Sequence, residues 1–199
     1  MSSTLLVHGA GSDPSVFDEW LPLLPGATCV DLQAGLDVGH ASIEDYANAV
    51  VRAAAGLTRP LTVIAWSLGG LVALLAANRV APERLVLLES SPPLEVQGLR
   101  AGIDPVPGTF EPRESPAGVA RRPESTLAMG QRDRGVSVPA LPAGTRTLVV
   151  FGDEFRHDRG PALAERYGAE QLDAGAATHW DMVLDPALRT RILAWISAA

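Results

Sequence analysis

Residues 63–70 read VIAWSLGG. An apolar run with β-branched residues stops at Ser67, and LGGLVALLAA follows at once with the leucine-alanine pattern of a helix. The run has the composition of a strand buried on both faces, so Ser67 falls at a strand-to-helix junction. Small residues stand two places either side of it, Ala65 before and Gly69 after. A serine held in a strained turn needs this, because bulky side chains at those positions would collide with the turn. The stretch therefore matches a nucleophile elbow, GxSxG with Ala in place of the first Gly. The plain alternative is a serine that caps an ordinary helix.

Outward from this junction, short apolar runs alternate with longer helical patterns, the mark of a parallel α/β sheet. Strands are expected at about 4–8 (TLLVH), 28–32 (TCVDL), 61–66 (LTVIAW), 84–89 (RLVLLE), 146–151 (RTLVVF) and 169–173 (AEQLD). Helices fit between them: PSVFDEWLPLL after Ser12 and Asp13, a longer one from Ser42 that Gly56 could end, LGGLVALLAANRV, PALAERYG and PALRTRILAWISA. The fold class is α/β, a mainly parallel sheet of about six strands with helices on both faces, in a single domain over 1–199. Residues 91–145 break the pattern with nine prolines. Such a stretch is too long for an ordinary connection, and interior prolines limit regular helix. A short, loop-rich, mobile lid inserted after the fourth strand is expected there.

Bulk properties narrow the function classes. The 199 residues carry a formal net charge of -7 without long like-charge blocks, which speaks against nucleic acid or an anionic membrane surface as partner. All 16 basic residues are Arg, so no side-chain Schiff base is available. Cys29 is the single cysteine, which leaves no internal disulfide and no cysteine cluster for zinc. With neither a signal peptide nor an apolar run of about 18 residues, a cytoplasmic protein is expected.

The chemistry gathers at strand ends. The helix after Ser67 offers free N–H groups and the positive end of its dipole to a developing oxyanion, with the Leu68 N–H as first donor. HGAGSD at 8–13 ends the first strand on the same edge, where open α/β sheets place their ligands, and is a candidate source of a second donor. Read alone it could cradle phosphate, but it has neither GxGxxG nor a Walker lysine. Of the four histidines, His8 belongs to the glycine turn, His40 to a loop and His157 to the charged EFRHDR stretch; His179, in GAATHWDMV, follows the last strand and is the expected base. Asp153 in VVFGDEF is the preferred orienting acid, because Ser67, Asp153, His179 is the chain order of a triad on this kind of sheet. Glu89, ending LVLLES, is the rival. Trp66 and Leu68 flank the serine and could shape an acyl pocket or simply be core. Arg113, Arg121, Arg122, Arg132 and Arg134 could meet a carboxylate or an acidic carrier, though a solvated face explains them as well.

Over nearly its whole length the chain resembles the α/β-hydrolase superfamily, and within it the carboxylesterase branch that includes pimeloyl-ACP methyl ester esterase and the cofactor-free haloperoxidases. The resemblance rests on LLVHGAG, DLQAG with SIEDYA, AWSLGGLVA, VVFGDE and THWDMV in that order. It implies an α/β-hydrolase fold, Ser67 as nucleophile, Asp153 as acid, His179 as base and the Ala10 N–H as oxyanion donor beside Leu68. It further implies an acyl-enzyme cleaving a carboxylic ester or thioester, with no cofactor, no metal and a small-molecule or carrier-bound acyl substrate. A lyase, acyl transferase or cyclase could use the same triad, and a binding protein could use the same scaffold. Three features depart from the pattern. The chain starts almost at the strand leading into HGAG, without the usual first hairpin; LDVGHAS replaces the HGxS turn; and the lid is shorter and richer in proline.

Overall fold

The computed structural model describes residues 2–112 and 115–198, so Arg113 lies outside the described residues. Six strands, β1 (Ser3–Val7), β2 (Ala27–Val30), β3 (Leu61–Trp66), β4 (Arg84–Leu88), β7 (Arg146–Phe151) and β8 (Glu170–Asp173), form one sheet in the order β2-β1-β3-β4-β7-β8. Every pairing is parallel. Two further two-residue strands, β5 (Thr109–Phe110) and β6 (Glu124–Ser125), pair antiparallel within the insertion. The six-stranded parallel sheet agrees with the sequence reading.

Strand alternation divides the core in two. Leu5, Val7, Val63, Ala65, Leu85, Leu87 and Val149 face α1 (Ile43–Ala54), α2 (Leu68–Val80) and α5 (Arg159–Tyr167). Leu6, Ile64, Trp66, Val86, Leu88 and Val150 face Phe17, Trp20, α6 (Asp181–Leu184) and α7 (Pro186–Ser197). Both faces are apolar, which explains the unbroken hydrophobic runs. Burial extends around most of α2, which packs against both the sheet and α1.

Local signals set the helix ends. Ser42 and Asp45 form a capping box at the start of α1, satisfying N–H groups that lack an intrahelical acceptor. Asp185 caps α7 with Pro186 at its first position, and Gly168 ends α5 in the left-handed conformation at φ 58°. The helix expected from PSVFDEWLPLL is instead two 3₁₀ turns, Pro14–Phe17 and Leu21–Leu23. Pro22 and Pro25 supply no N–H donor and do not support a continuous α-helix.

The segment between β4 and β7 is partly what its prolines suggest. It holds the single turn α3 (Leu94–Gln97), the β5–β6 pair and one longer helix, α4 (Thr126–Arg134), capped by Ser125. Part of it nevertheless packs closely against the rest of the chain. Glu124, Ser125, Ala128 and Val138 are buried, and Ser125 Oγ donates to the Ala41 carbonyl at 2.6 Å. This half of the insertion is built into the domain. Among the described residues no helix is long and apolar enough to cross a membrane.

Candidate active site

Sheet order places the site. The chain runs from β1 outward to β2, then crosses back to β3 on the other side of β1, which makes the β1/β3 boundary a topological switch point. Ligands of open α/β sheets bind in the crevice beyond the strand carboxyl ends at such a point. The two loops that meet there are residues 8–12 and the turn at Ser67.

Ser67 occupies that turn with φ 56° and ψ −124°, a conformation that costs a non-glycine residue on the order of 1–3 kcal/mol. The surrounding backbone holds it: Ser67 N–H donates to the Leu88 carbonyl at 3.0 Å, and the Ser67 carbonyl accepts from Ser91 N–H at 2.9 Å and Gly70 N–H at 3.0 Å. The requirement for Gly69 is a matter of distance. A Cβ there would lie 2.7 Å from the Val7 carbonyl oxygen and closer still to that of His8, so α2 can start against the end of β1 only without a side chain at this position. Gly9 touches the turn from the other side, since a Cβ on it would come 2.9 Å from Ser67 Cβ. The loop holding Ala10 is thus packed against the serine, and Leu68, the first residue of α2, is fully buried.

His179 follows β8 and lines the same cavity as Ser67, a space of about 270 Å³ whose walls also include Gln97, Arg100, Phe155 and Arg159. Its Nδ1–H donates to Glu89 Oε2 at 2.8 Å. Glu89 is 1% exposed, and its second oxygen accepts Gly152 N–H at 2.8 Å. Both carboxylate oxygens are therefore satisfied, and the bond to Nδ1 leaves His179 Nε2 free to take a proton. Among the described residues no hydrogen bond joins Ser67 Oγ to His179; catalytic hydrogen bonds are often long before substrate binds.

The carboxylate that meets His179 is thus that of Glu89, the rival in the sequence reading, and not that of Asp153. Asp153 is exposed, its backbone N–H donates to the Ala177 carbonyl at 3.0 Å, and its side chain does not reach His179. The GD turn after β7 is present, but it serves Glu89 through the Gly152 N–H. Of the two places the sequence left open to Trp66, the structure puts it in the core. It is 2% exposed in the core and is not among the cavity-lining residues, because strand alternation turns it to the face opposite Ala65. It supports His179 instead: Nε1–H donates to the His179 carbonyl at 3.1 Å, and its ring lies 5.1 Å from the imidazole and 4.8 Å from Trp180.

The remaining candidates separate clearly. His8 is buried; its Nε2 accepts Leu32 N–H at 3.2 Å, so Nδ1 carries the proton and donates to the Gly9 carbonyl at 2.9 Å. His40 is exposed and paired with Asp37, and His157 is exposed. Of the insertion arginines, Arg132 lines the cavity while bonded to Asp133. Arg122 forms a two-pronged pair with Asp31 at 2.6 and 2.9 Å. Arg121 donates to the Pro112 carbonyl, and Arg134 lines a separate groove. Glu89, Glu154 and His179 each bring a potential metal-ligand atom within 4.8 Å of the others, but Glu89 and His179 are already committed to each other.

A deep strand end, a serine in the elbow and a histidine bonded to a buried carboxylate define the α/β-hydrolase class of protein, and the chain belongs to the alpha/beta hydrolase family, whose model matches residues 4–197. Among curated proteins it is 40% identical over 77 residues to pimeloyl-[acyl-carrier protein] methyl ester esterase of Neisseria meningitidis serogroup A, covering 37% of this chain and 25% of the relative. It is 36% identical over 115 residues to the protein of the same name from Photobacterium profundum, covering 52% and 43%. The matches thus span less than half the length of those relatives. In structure it is similar to polyneuridine aldehyde esterase (TM-score 0.66, 15% identity, 99% of both chains covered). A pyrethroid hydrolase matches with TM-score 0.71 at 14% identity, covering 100% of this chain and 98% of the other. At these identities the likeness establishes the fold.

Proposed function

We propose that the chain is a serine hydrolase that cleaves a carboxylic ester or thioester through an acyl-enzyme on Ser67, with His179 as base and Glu89 as the orienting acid. The observation that carries this reading is the bond from His179 Nδ1 to the buried Glu89 carboxylate, on a histidine that shares its cavity with an elbow serine. Ser67 Oγ attacks the carbonyl carbon and its proton passes to His179 Nε2. The carbonyl oxygen becomes an oxyanion held by the N–H groups of Leu68 and Ala10. Collapse of this adduct expels the alcohol or thiol, which takes the proton from Nε2. Water then repeats the sequence on the acyl-enzyme, giving its proton to Nε2, and the acid leaves with Ser67 restored. Glu89 fixes the tautomer and stabilises the imidazolium without itself becoming protonated.

The names of the matched relatives support an acyl substrate that is either carrier-bound or small. Arg100 and Arg159 in the cavity wall favour a substrate with a polar or anionic portion, since guanidinium groups bind carboxylate and phosphate through charge-assisted hydrogen bonds. A fluorophosphonate probe tests the reaction class. It is expected to leave one adduct, mapped to Ser67, and Ser67→Ala is expected to lower turnover by about 10⁶-fold, the scale found when a serine nucleophile is removed. An adduct elsewhere, or none, would overturn the assignment.

A further inference from the structure

We propose that Glu124, in the insertion, is a positioning residue for the oxyanion loop, so that this segment contributes to the rate of the reaction as well as forming the cavity wall. The proposal rests on Ser67 hydrolysis as read above. Three successive peptide units of the loop are each held in place. In the first, the Gly9 carbonyl accepts from His8 Nδ1–H at 2.9 Å and from Ser12 Oγ at 3.0 Å. Because a trans peptide points its C=O and N–H in opposite directions, these two bonds aim the Ala10 N–H.

In the second unit, the Gly11 N–H donates to Glu124 Oε2 at 2.9 Å. In the third, the Gly11 carbonyl accepts the Arg122 N–H at 3.1 Å. Two of the three clamps therefore come from residues 122–124, which are remote in sequence from the loop. The middle one falls at the loop's weakest point, since Gly11 has φ +66° and a glycine crosses between backbone regions with little cost.

Glu124 is built for this task. It is 2% exposed, and a buried carboxylate is tolerated only when its oxygens are satisfied. Oε1 accepts Tyr46 O–H at 2.5 Å and the Glu124–Ser125 peptide N–H at 2.8 Å, while Oε2 accepts Gly11 N–H. Burial, and then the Glu124 charge, push the Tyr46 phenol above its ordinary value, which keeps the hydroxyl a donor. Tyr46 lies on α1, so the carboxylate ties the oxyanion loop to both the insertion and the helical layer. Replacing one oxygen by an amide NH₂ sets a donor against either Gly11 N–H or the donors at Oε1, and the Ala10–Gly11 peptide is free to turn.

The test compares Glu124→Gln with Tyr46→Phe, which removes a bond to the same carboxylate but leaves Gly11 N–H its acceptor. The measurements are kcat, KM and inhibition by a boronic acid that forms a tetrahedral anion on Ser67 Oγ, each read beside thermal stability. For Glu124→Gln the expected result is a fall in kcat and boronate affinity on the order of 10- to 100-fold, less than for outright loss of an oxyanion donor, with KM nearly unchanged. Tyr46→Phe is expected to lower stability with kcat within a few-fold of wild type. If Glu124→Gln does not fold, Glu124→Asp, which keeps the charge but shortens the reach to Gly11, is expected to show the same kcat and boronate loss. Boronate affinity and kcat unchanged in the folded Glu124 variant, or falling only in step with stability in both variants, would overturn the proposal. Failure of the wild-type protein to react with fluorophosphonate at Ser67 would instead overturn the hydrolase reading on which it rests.

Discussion

At Glu89 a carboxylate almost sealed from solvent accepts one N–H from the backbone and one from His179. In the proposed reaction this carboxylate would face an opposite charge at close range once Nε2 takes the serine proton. Cys29, half-buried on β2, is a thiol whose surroundings disfavour its charged form. Burial, with Asp18, Asp31 and Asp13 acting the same way, pushes its thiol up to about 12. A raised thiol value keeps the neutral form, so at about pH 8 the thiolate fraction is on the order of 10⁻⁴ and nucleophilic reaction is slow. Alkylation followed by mass spectrometry is expected to leave Cys29 unmodified in the native protein and to label it readily in guanidinium. Native labelling at the rate of a free peptide cysteine would contradict this.

The junction of β3 with α2 shows how far an element can be inferred from its residues. Gly69→Ala places a methyl group against the carbonyls that end β1, and forced overpacking of this kind costs typically about 1–3 kcal/mol. A urea titration is expected to show that loss of stability together with slower labelling of Ser67; an unchanged midpoint would mean that the close approach is not required. The elbow was legible because strand, serine and small neighbours are contiguous in sequence, and the six strands were legible because parallel strands buried on both faces read as unbroken apolar runs. The acid was not. Both Glu89 and Asp153 lie between Ser67 and His179 in the chain, and chain order does not say which strand end turns its carboxylate inward. For Trp66 the sequence left pocket and core open, and alternation along β3 decides for the core by sending the residue before Ser67 to the far face. Glu124 gave no signal, since it stands in a proline-rich stretch without period and acts through a loop more than a hundred residues earlier.

Across the whole molecule, the parallel sheet gathers residues from five separate places at one edge: the loop after β1, the turn after β3, the end of β4, the turn after β7 and the loop after β8. The insertion closes over that edge from one side and reaches down to the β1 loop through Arg122 and Glu124. Sheet order puts the end of β4 between β3 and β7, where Glu89 bonds His179 while Asp153 is exposed, and this supports Glu89 as the acid of the proposed reaction. The most direct measurement is kcat/KM of Glu89→Gln against Asp153→Asn, on an ester that the wild-type protein hydrolyses. The Glu89 variant is expected to lose activity by up to about 10⁴-fold through the wrong imidazole tautomer, and the Asp153 variant to stay within a few-fold of wild type. The reverse ranking, or equal small losses, would contradict the assignment of Ser67, His179 and Glu89 as one catalytic unit.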